Sequence, residues 1–157
     1  QMGYWMHWQM MTLDSDWLTN ETGDKQMELN QFIGWSQLTV LKSNCRGEEG
    51  KYFRDMMKNL KNLIETMPKT YETDGQGDGA TAHLHYFNAG SDWYITEKDI
   101  EDEQIQAFGF ALLNGDIQNA ELGYISITEL IRHGAELDLY YKPDTIGAIK
   151  ARLRKAA

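Results

Sequence analysis

The sequence predicts an α+β fold, in which an antiparallel β-sheet of about four or five strands packs with flanking helices. Three observations support this prediction: an amphipathic stretch at 48–67, a series of short strand-like segments between residues 80 and 125, and two further helix signals nearer the carboxyl end. Of the 157 residues, 41% are hydrophobic and 25% are charged, which is typical of a globular protein.

The first flanking helix is predicted at 48–67, where apolar side chains recur at spacings of three and four residues. These side chains are Tyr52, Phe53, Met56, Leu60, Leu63, Ile64 and Met67. Pro68 cannot continue the helical hydrogen bonds and disfavours a helical conformation of Met67, so the helix is expected to end there.

Four strands are predicted between residues 80 and 125, because short apolar or alternating runs are separated by turn residues. The predicted strands are Ala80–Phe87, Trp93–Thr96, Ala107–Leu113 and Ala120–Ile125. Strands joined by tight turns form hairpins, so an antiparallel meander is expected.

A short helix and a further strand are predicted after the meander. Ser126 and Glu129 have the spacing of a capping box, which predicts a helix at 126–133. Leu137–Tyr141 alternates as a short strand, which Pro143 is expected to end.

The two ends of the chain differ in character. A second flanking helix is predicted at 144–155, since Ile146, Ile149 and Leu153 form one apolar stripe. Residues 1–47 are rich in Trp and Met and are expected to form an extension that packs on an acidic domain at 48–157. Within this extension, 32–41 fits either a pair of strands or a short helix and a strand.

The charge of the chain is strongly negative and unevenly distributed. The formal net charge is −9, and between Glu72 and Asp144 fifteen carboxylates face only three basic side chains, those of Lys98, Arg132 and Lys142. Nucleic-acid binding depends largely on Lys and Arg, so direct binding of DNA or RNA is not expected. The acidity is explained either by solubility or by complementarity to a basic protein partner.

The sequence also bears on location. Cys45 is the only cysteine, so no intramolecular disulfide can form, and the chain is compatible with a reducing compartment. The first residues lack the features of a signal peptide, and no stretch reaches the roughly 18 apolar residues of a membrane span. A cytoplasmic location without membrane association is therefore expected, while the oligomeric state is left open.

Six segments carry a resemblance to a known family. In chain order they are Pro68–Asp74, Gln76–Asp78, Trp93–Glu97, Phe108–Phe110, Glu121–Leu130 and Asp138–Pro143. Over about residues 58–150 the sequence resembles the prokaryotic domain-of-unknown-function family 2958, whose members occur on plasmids, phages and other mobile elements. The resemblance implies a mobile-element context and no particular reaction or cofactor.

A divalent metal site is one candidate. His83 and His85 lie two apart on a predicted strand, so their imidazoles are expected on one face. The third ligand is expected from a loop, and the candidates are Asp78, Asp92 and Glu97. The alternative is a polar strand face, since two His without Cys ligands are a weak metal signal.

A partner surface is the other candidate. It combines the carboxylates of a predicted solvated loop with neighbouring aromatic side chains: Asp99, Glu101, Asp102, Glu103, Trp93 and Tyr94. Core packing is the alternative for Trp93, and also for Tyr124.

Three hypotheses about function follow. The first is a non-enzymatic accessory protein of a mobile element that binds a basic protein through its acidic surface, with counter-defence or DNA mimicry as its role. The second is a metal-binding module or metal-dependent enzyme built on His83 and His85. The third is a domain with no separable activity. No catalytic set is recognisable in the sequence, so an enzyme is the less favoured class.

Overall fold

The computed structural model describes residues 29–156, and over this range the chain forms four α-helices and seven β-strands. The helices are α1 (Trp35–Asn44), α2 (Gly50–Thr66), α3 (Ile127–Arg132) and α4 (Ile146–Ala156). The strands are β1 (Thr81–Ala82), β2 (Leu84–Asn88), β3 (Ser91–Glu97), β4 (Ala107–Leu112), β5 (Glu121–Ile125), β6 (Glu136–Leu137) and β7 (Asp144–Thr145).

Five strands form one antiparallel sheet in the order β5-β4-β3-β2-β6, and β1 pairs with β7 in a separate antiparallel pair. This arrangement confirms the predicted α+β class and the predicted antiparallel sheet. The three predicted helices correspond to α2, α3 and α4.

None of the helices in the described part of the chain has the length and apolar content needed to cross a membrane.

The hairpin between β2 and β3 fixes the register of the sheet. Its two loop residues both have positive φ, 47° at Ala89 and 84° at Gly90. Two such residues in a two-residue loop are typical of a type I′ turn, whose twist matches that of the paired strands. Asn88 and Ser91 are the pair next to this turn, so they form the first hydrogen-bonded pair of the hairpin.

A first core lies between one face of the sheet and helices α1 and α2. Its members include Tyr86, Ile95 and Leu137 from the sheet, together with Met57 and Ile64 from α2. Residues 29–45 add a further set of buried side chains, namely Leu29, Phe32, Ile33, Leu38, Leu41 and Cys45. This part of the chain therefore completes the core of the sheet, while residues 1–28 of the predicted extension lie outside the described residues.

A second core covers the opposite face of the sheet. Tyr94, Phe110 and Leu112 pack there against Ile146 and Ile149 of α4. Successive side chains of a strand point to opposite faces, so β3 supplies both cores at once. The sheet is thus covered on both faces.

Three local predictions of strands are wrong. The strand expected within 32–41 is absent, whereas the short helix of the second alternative is present as α1. Leu38, Leu41 and Cys45 are buried at spacings of three and four, and this burial favours a helix.

The other two errors concern strand lengths. The strand predicted at 80–87 is interrupted at His83, because Thr81 and Ala82 pair with β7 and the chain joins the large sheet only at Leu84. The strand predicted at 137–141 ends at Leu137, since an oxygen of the Asp138 side chain accepts a hydrogen bond of 3.0 Å from the amide of Tyr140 and turns the chain.

Candidate binding cleft beside the glycine-rich loop

A cleft of about 340 Å³ lies between the loop at 70–80 and the β4–β5 part of the sheet. The loop supplies Thr70, Tyr71, Thr73, Asp74, Gly75, Gly77 and Ala80, and the sheet supplies Thr96, Glu97, Phe108, Leu122 and Tyr124. The walls therefore combine aromatic rings with carboxylates and hydroxyls, the side-chain mixture typical of ligand sites.

The loop is anchored where it leaves α2. The hydroxyl of Thr70 is 3.1 Å from the carbonyl oxygen of Lys98 and 2.7 Å from that of Gln106, and the Thr70 amide donates to the Lys98 carbonyl at 2.8 Å. Tyr71 follows with a φ of 79°, a conformation that is rare for a residue with a large side chain. Such a backbone costs about 1–3 kcal/mol and is often found at functional sites.

A buried carboxylate holds this loop in place. Glu97 is 3% exposed, and its oxygens accept hydrogen bonds from the amide of Tyr71 at 3.0 Å and from the amide and hydroxyl of Thr73, both at 2.6 Å. All three donors are neutral, and within residues 29–156 no cationic side chain forms an ion pair with Glu97. Its negative charge is therefore hydrogen-bonded but not neutralised.

Two exposed tyrosines form the rim of the cleft. Tyr71 is 62% exposed and Tyr124 is 59% exposed, and the hydroxyl of Tyr124 donates a hydrogen bond of 3.1 Å to that of Tyr71. This hydrogen bond is the main cause that raises the pKa of Tyr124, and the negative charges of Glu97 and Asp74 add to the effect. Phe108 packs edge-on against the Tyr124 ring at a centroid distance of 5.7 Å.

The cleft is suited to a cation. The faces of tyrosine rings attract ammonium and guanidinium groups, and the carboxylates of Glu97 and Asp74 add a negative field. An anion would meet the same carboxylates as like charges and would be repelled.

Among the described residues, the predicted metal ligands do not form a group of three, although Asp92 contacts His85. Asp78 forms an ion pair of 2.7 Å with Lys150, and the imidazole of His85 lies between two carboxylates, 2.7 Å from Asp92 and 3.0 Å from Asp138. Among the described residues there is no group of three or more His, Cys, Asp or Glu side chains that could hold a metal ion.

His83 lies instead in a groove of about 540 Å³ between α2 and the chain around Asp138. Its Nδ1 atom is buried and has no hydrogen-bond partner in the described part of the chain. Burial lowers the pKa of His83 below its ordinary value of 6.5.

The predicted partner surface is only partly exposed. Asp99 is buried, and its carboxylate accepts hydrogen bonds from the amides of Glu101 at 3.2 Å, Ile105 at 3.1 Å and Gln106 at 2.9 Å. The prediction of a fully solvated loop is therefore wrong for Asp99, because the carboxylate organises the loop. The exposed carboxylates of this set are those of Glu101, Asp102 and Glu103.

The aromatic members of that surface belong mainly to the cores. Tyr94 is buried in the second core, and Trp93 is half-buried against the first core. Tyr124, for which core packing was the alternative, is exposed because it lies on the edge strand β5.

Sequence reasoning named Glu97 only as a possible third metal ligand and did not single out Tyr71 as a site residue. A signal was present, since the cleft is lined by residues from five of the six segments that carry the family resemblance, those beginning at Pro68, Gln76, Trp93, Phe108 and Glu121. Their meeting at one place follows from the register of the sheet.

Comparison of the chain with family models, with curated proteins and with solved structures finds no match. The resemblance to family 2958 therefore stays a prediction.

Proposed function

We propose that this protein binds a basic segment of a partner protein without catalysing a reaction, and that the cleft between Tyr71 and Tyr124 accepts a Lys or Arg side chain of that segment. The observation that carries the proposal is the Glu97 carboxylate, which lines an aromatic cleft and has no cationic partner among the described residues. A ligand ammonium or guanidinium group would neutralise this charge.

The surroundings of the cleft support a basic partner. Glu72 and Asp74 are exposed on the loop that forms one wall of the cleft. Together with Glu97, these carboxylates attract a basic segment at long range, and the effect weakens as salt screens it. Glu101, Asp102 and Glu103 are further exposed carboxylates, and we propose that the partner also contacts them. The mobile-element role, with counter-defence or DNA mimicry, rests on the family resemblance.

Isothermal titration with a peptide of about ten residues, in which lysine and threonine alternate, tests the proposal. We expect binding at low ionic strength that weakens at high salt, and no binding of a matched peptide with glutamate in place of lysine. Replacing Tyr124 with Ala removes one aromatic wall and should weaken binding about two- to fivefold, the worth of an exposed cation–π contact.

The charge variant Asp74→Asn should weaken binding by a similar factor, about two- to fivefold. Glu136→Gln is the matched control, because Glu136 is an exposed carboxylate on β6, at the other end of the sheet from β5. Equal effects of Asp74→Asn and Glu136→Gln would mean that the peptide responds to net charge alone, and the cleft would then not be the binding site.

A further inference from the structure

Strand β5 forms one edge of the five-stranded sheet. It pairs over all five of its residues with β4, and its other side has no hydrogen-bonded neighbour within residues 29–156. An open edge of this kind presents unpaired backbone N–H and C=O groups, which is a template for a further strand.

The register identifies which backbone groups point outward. Starting from the hydrogen-bonded pair Asn88 and Ser91, alternation along β3 directs the backbone of Ile95 towards β2. In agreement, the Ile95 carbonyl oxygen accepts a hydrogen bond of 2.8 Å from the amide of His83, on the β2 side.

The same alternation continues across β4. Gly109, which is opposite Ile95, directs its backbone towards β5 and forms a hydrogen-bonded pair with Gly123. The neighbours of Gly123 on β5, Leu122 and Tyr124, therefore direct their N–H and C=O groups away from the sheet, at the open edge.

These same two residues line the cation cleft with their side chains. We propose that the basic partner segment binds as an extended strand along β5, hydrogen-bonded to the backbone of Leu122 and Tyr124, and that it places a Lys or Arg side chain in the cleft. This inference rests on the proposed function, which assigns a Lys or Arg side chain of the partner to the cleft. It adds the backbone conformation of the partner segment.

The chemistry of the edge favours a basic segment over a second copy of this chain. Side chains directly opposite on paired strands have Cβ atoms about 4.5–5.5 Å apart, so a basic residue opposite Tyr124 could reach the cleft. Two β5 strands would instead bring the two acidic clefts close together, which like charges oppose.

A proline at position 122 tests the strand geometry. Leu122→Pro removes the outward N–H without removing a hydrogen bond to β4, and proline is tolerated on an edge strand at such a position. Leu122→Ala is the matched control, since it also loses the Leu side chain but keeps the N–H. We expect the lysine–threonine peptide to bind Leu122→Pro about tenfold more weakly than Leu122→Ala.

A single capped lysine separates the two proposals, because it carries the cation but cannot form a strand. Nα-acetyl-lysine methylamide should shift the NMR signals of the Tyr71 and Tyr124 rings in the wild type, and it should shift them to the same extent in Leu122→Pro as in Leu122→Ala, since both variants lack the Leu side chain. If the wild type binds neither probe, the proposed function fails. If the peptide binds Leu122→Pro and Leu122→Ala equally well, the cleft proposal stands and the strand proposal is overturned.

Amide hydrogen exchange on the wild-type protein gives a test that does not depend on the folding of a variant. The amides of Leu122 and Tyr124 should exchange rapidly in the free protein and become protected when the peptide is added, whereas the Gly123 amide should be protected in both states. Protection of Leu122 and Tyr124 without peptide, together with a dimer in sedimentation, would show that a second copy occupies the edge and would overturn the proposal. Rapid exchange of both amides with peptide bound would also overturn it.

Discussion

The ammonium group of Lys98 donates a hydrogen bond of 2.6 Å to the carbonyl oxygen of Ile64 in the last turn of α2. A second contact, of 3.3 Å, reaches the carbonyl oxygen of Glu65. The last carbonyls of a helix lack helical partners and carry partial negative charge, so a buried cation stabilises them. Burial lowers the pKa of Lys98 and the charge of Lys69 adds to this, while Glu65 and Glu72 act in the opposite direction.

Replacing Lys98 with Ala should destabilise the protein by about 1–3 kcal/mol, because two carbonyls at the end of α2 lose their donor. Urea unfolding followed by circular dichroism measures the change. Lys69→Ala is the control, since Lys69 is exposed and is expected to change the free energy of unfolding by less than about 0.5 kcal/mol. Equal losses in the two variants would contradict a capping role for Lys98.

The strained backbone of Tyr71 predicts that glycine and alanine at this position differ in stability but weaken peptide binding to the same extent. Glycine adopts positive φ without steric cost, so Tyr71→Gly should be about 1 kcal/mol more stable than Tyr71→Ala, which keeps the strain. Both variants lose one wall of the cleft and should bind the lysine–threonine peptide about two- to fivefold more weakly than the wild type. Thermal unfolding and titration of the same preparations measure the two effects. A glycine variant less stable than the alanine variant would show that the loop is not strained at Tyr71.

The parts of the fold that were predicted correctly depend on neighbouring residues in the chain. The hydroxyl of Ser126 accepts a hydrogen bond of 3.2 Å from the amide of Glu129, as the capping-box spacing predicts. Met67 is extended before Pro68, and α2 ends there. Each of these signals is complete within about four residues, so tertiary packing does not alter it.

The cleft depends on distant residues, and this is why the sequence did not reveal it. Glu97 occurs beside a run of acidic residues and has the sequence appearance of a solvated carboxylate, yet it is buried because the loop from Tyr71 to Thr73 folds over it. Tyr124 has the sequence appearance of a core residue within an apolar strand, and its exposure follows from the position of β5 at the sheet edge. Neither property can be obtained before the strand order is known.

His85 connects three parts of the second face of the sheet. Its ring stacks on Tyr94 at 4.5 Å, and its two nitrogens contact Asp92 on β3 and Asp138 in the turn after β6. A neutral imidazole can donate to one carboxylate, whereas a protonated ring donates to both.

His85→Phe keeps the stacked ring but removes both contacts between a ring nitrogen and a carboxylate, so we expect the free energy of unfolding to fall by about 1–3 kcal/mol, with the carboxylates only partly buried. A double-mutant cycle with Asp138→Asn checks the cause. The cost of His85→Phe should be smaller in the Asp138→Asn background, because one of the two contacts is already weakened. Purely additive effects would contradict the coupling of His85 to Asp138.

The half-buried imidazole of His83 predicts a specific dependence of stability on pH. Its pKa in the folded protein is lower than the ordinary 6.5, so below that pH the unfolded chain binds more protons than the folded one. The contribution of neutral His83 to the free energy of unfolding is therefore fully present above about pH 6.5. It is lost as the pH falls through the lowered pKa of the folded state.

His83→Leu should remove this dependence, and it also removes the buried Nδ1 atom that has no partner among the described residues. We expect the free energy of unfolding of the variant to fall less than that of the wild type between about pH 7 and pH 5.5, as measured by urea unfolding at each pH. Measurements above about pH 7.5 provide the internal control, because the difference between the two proteins should be constant where His83 is neutral in both states. Parallel curves through the whole range would mean that the folded protein accepts a proton at His83 as readily as the unfolded chain does.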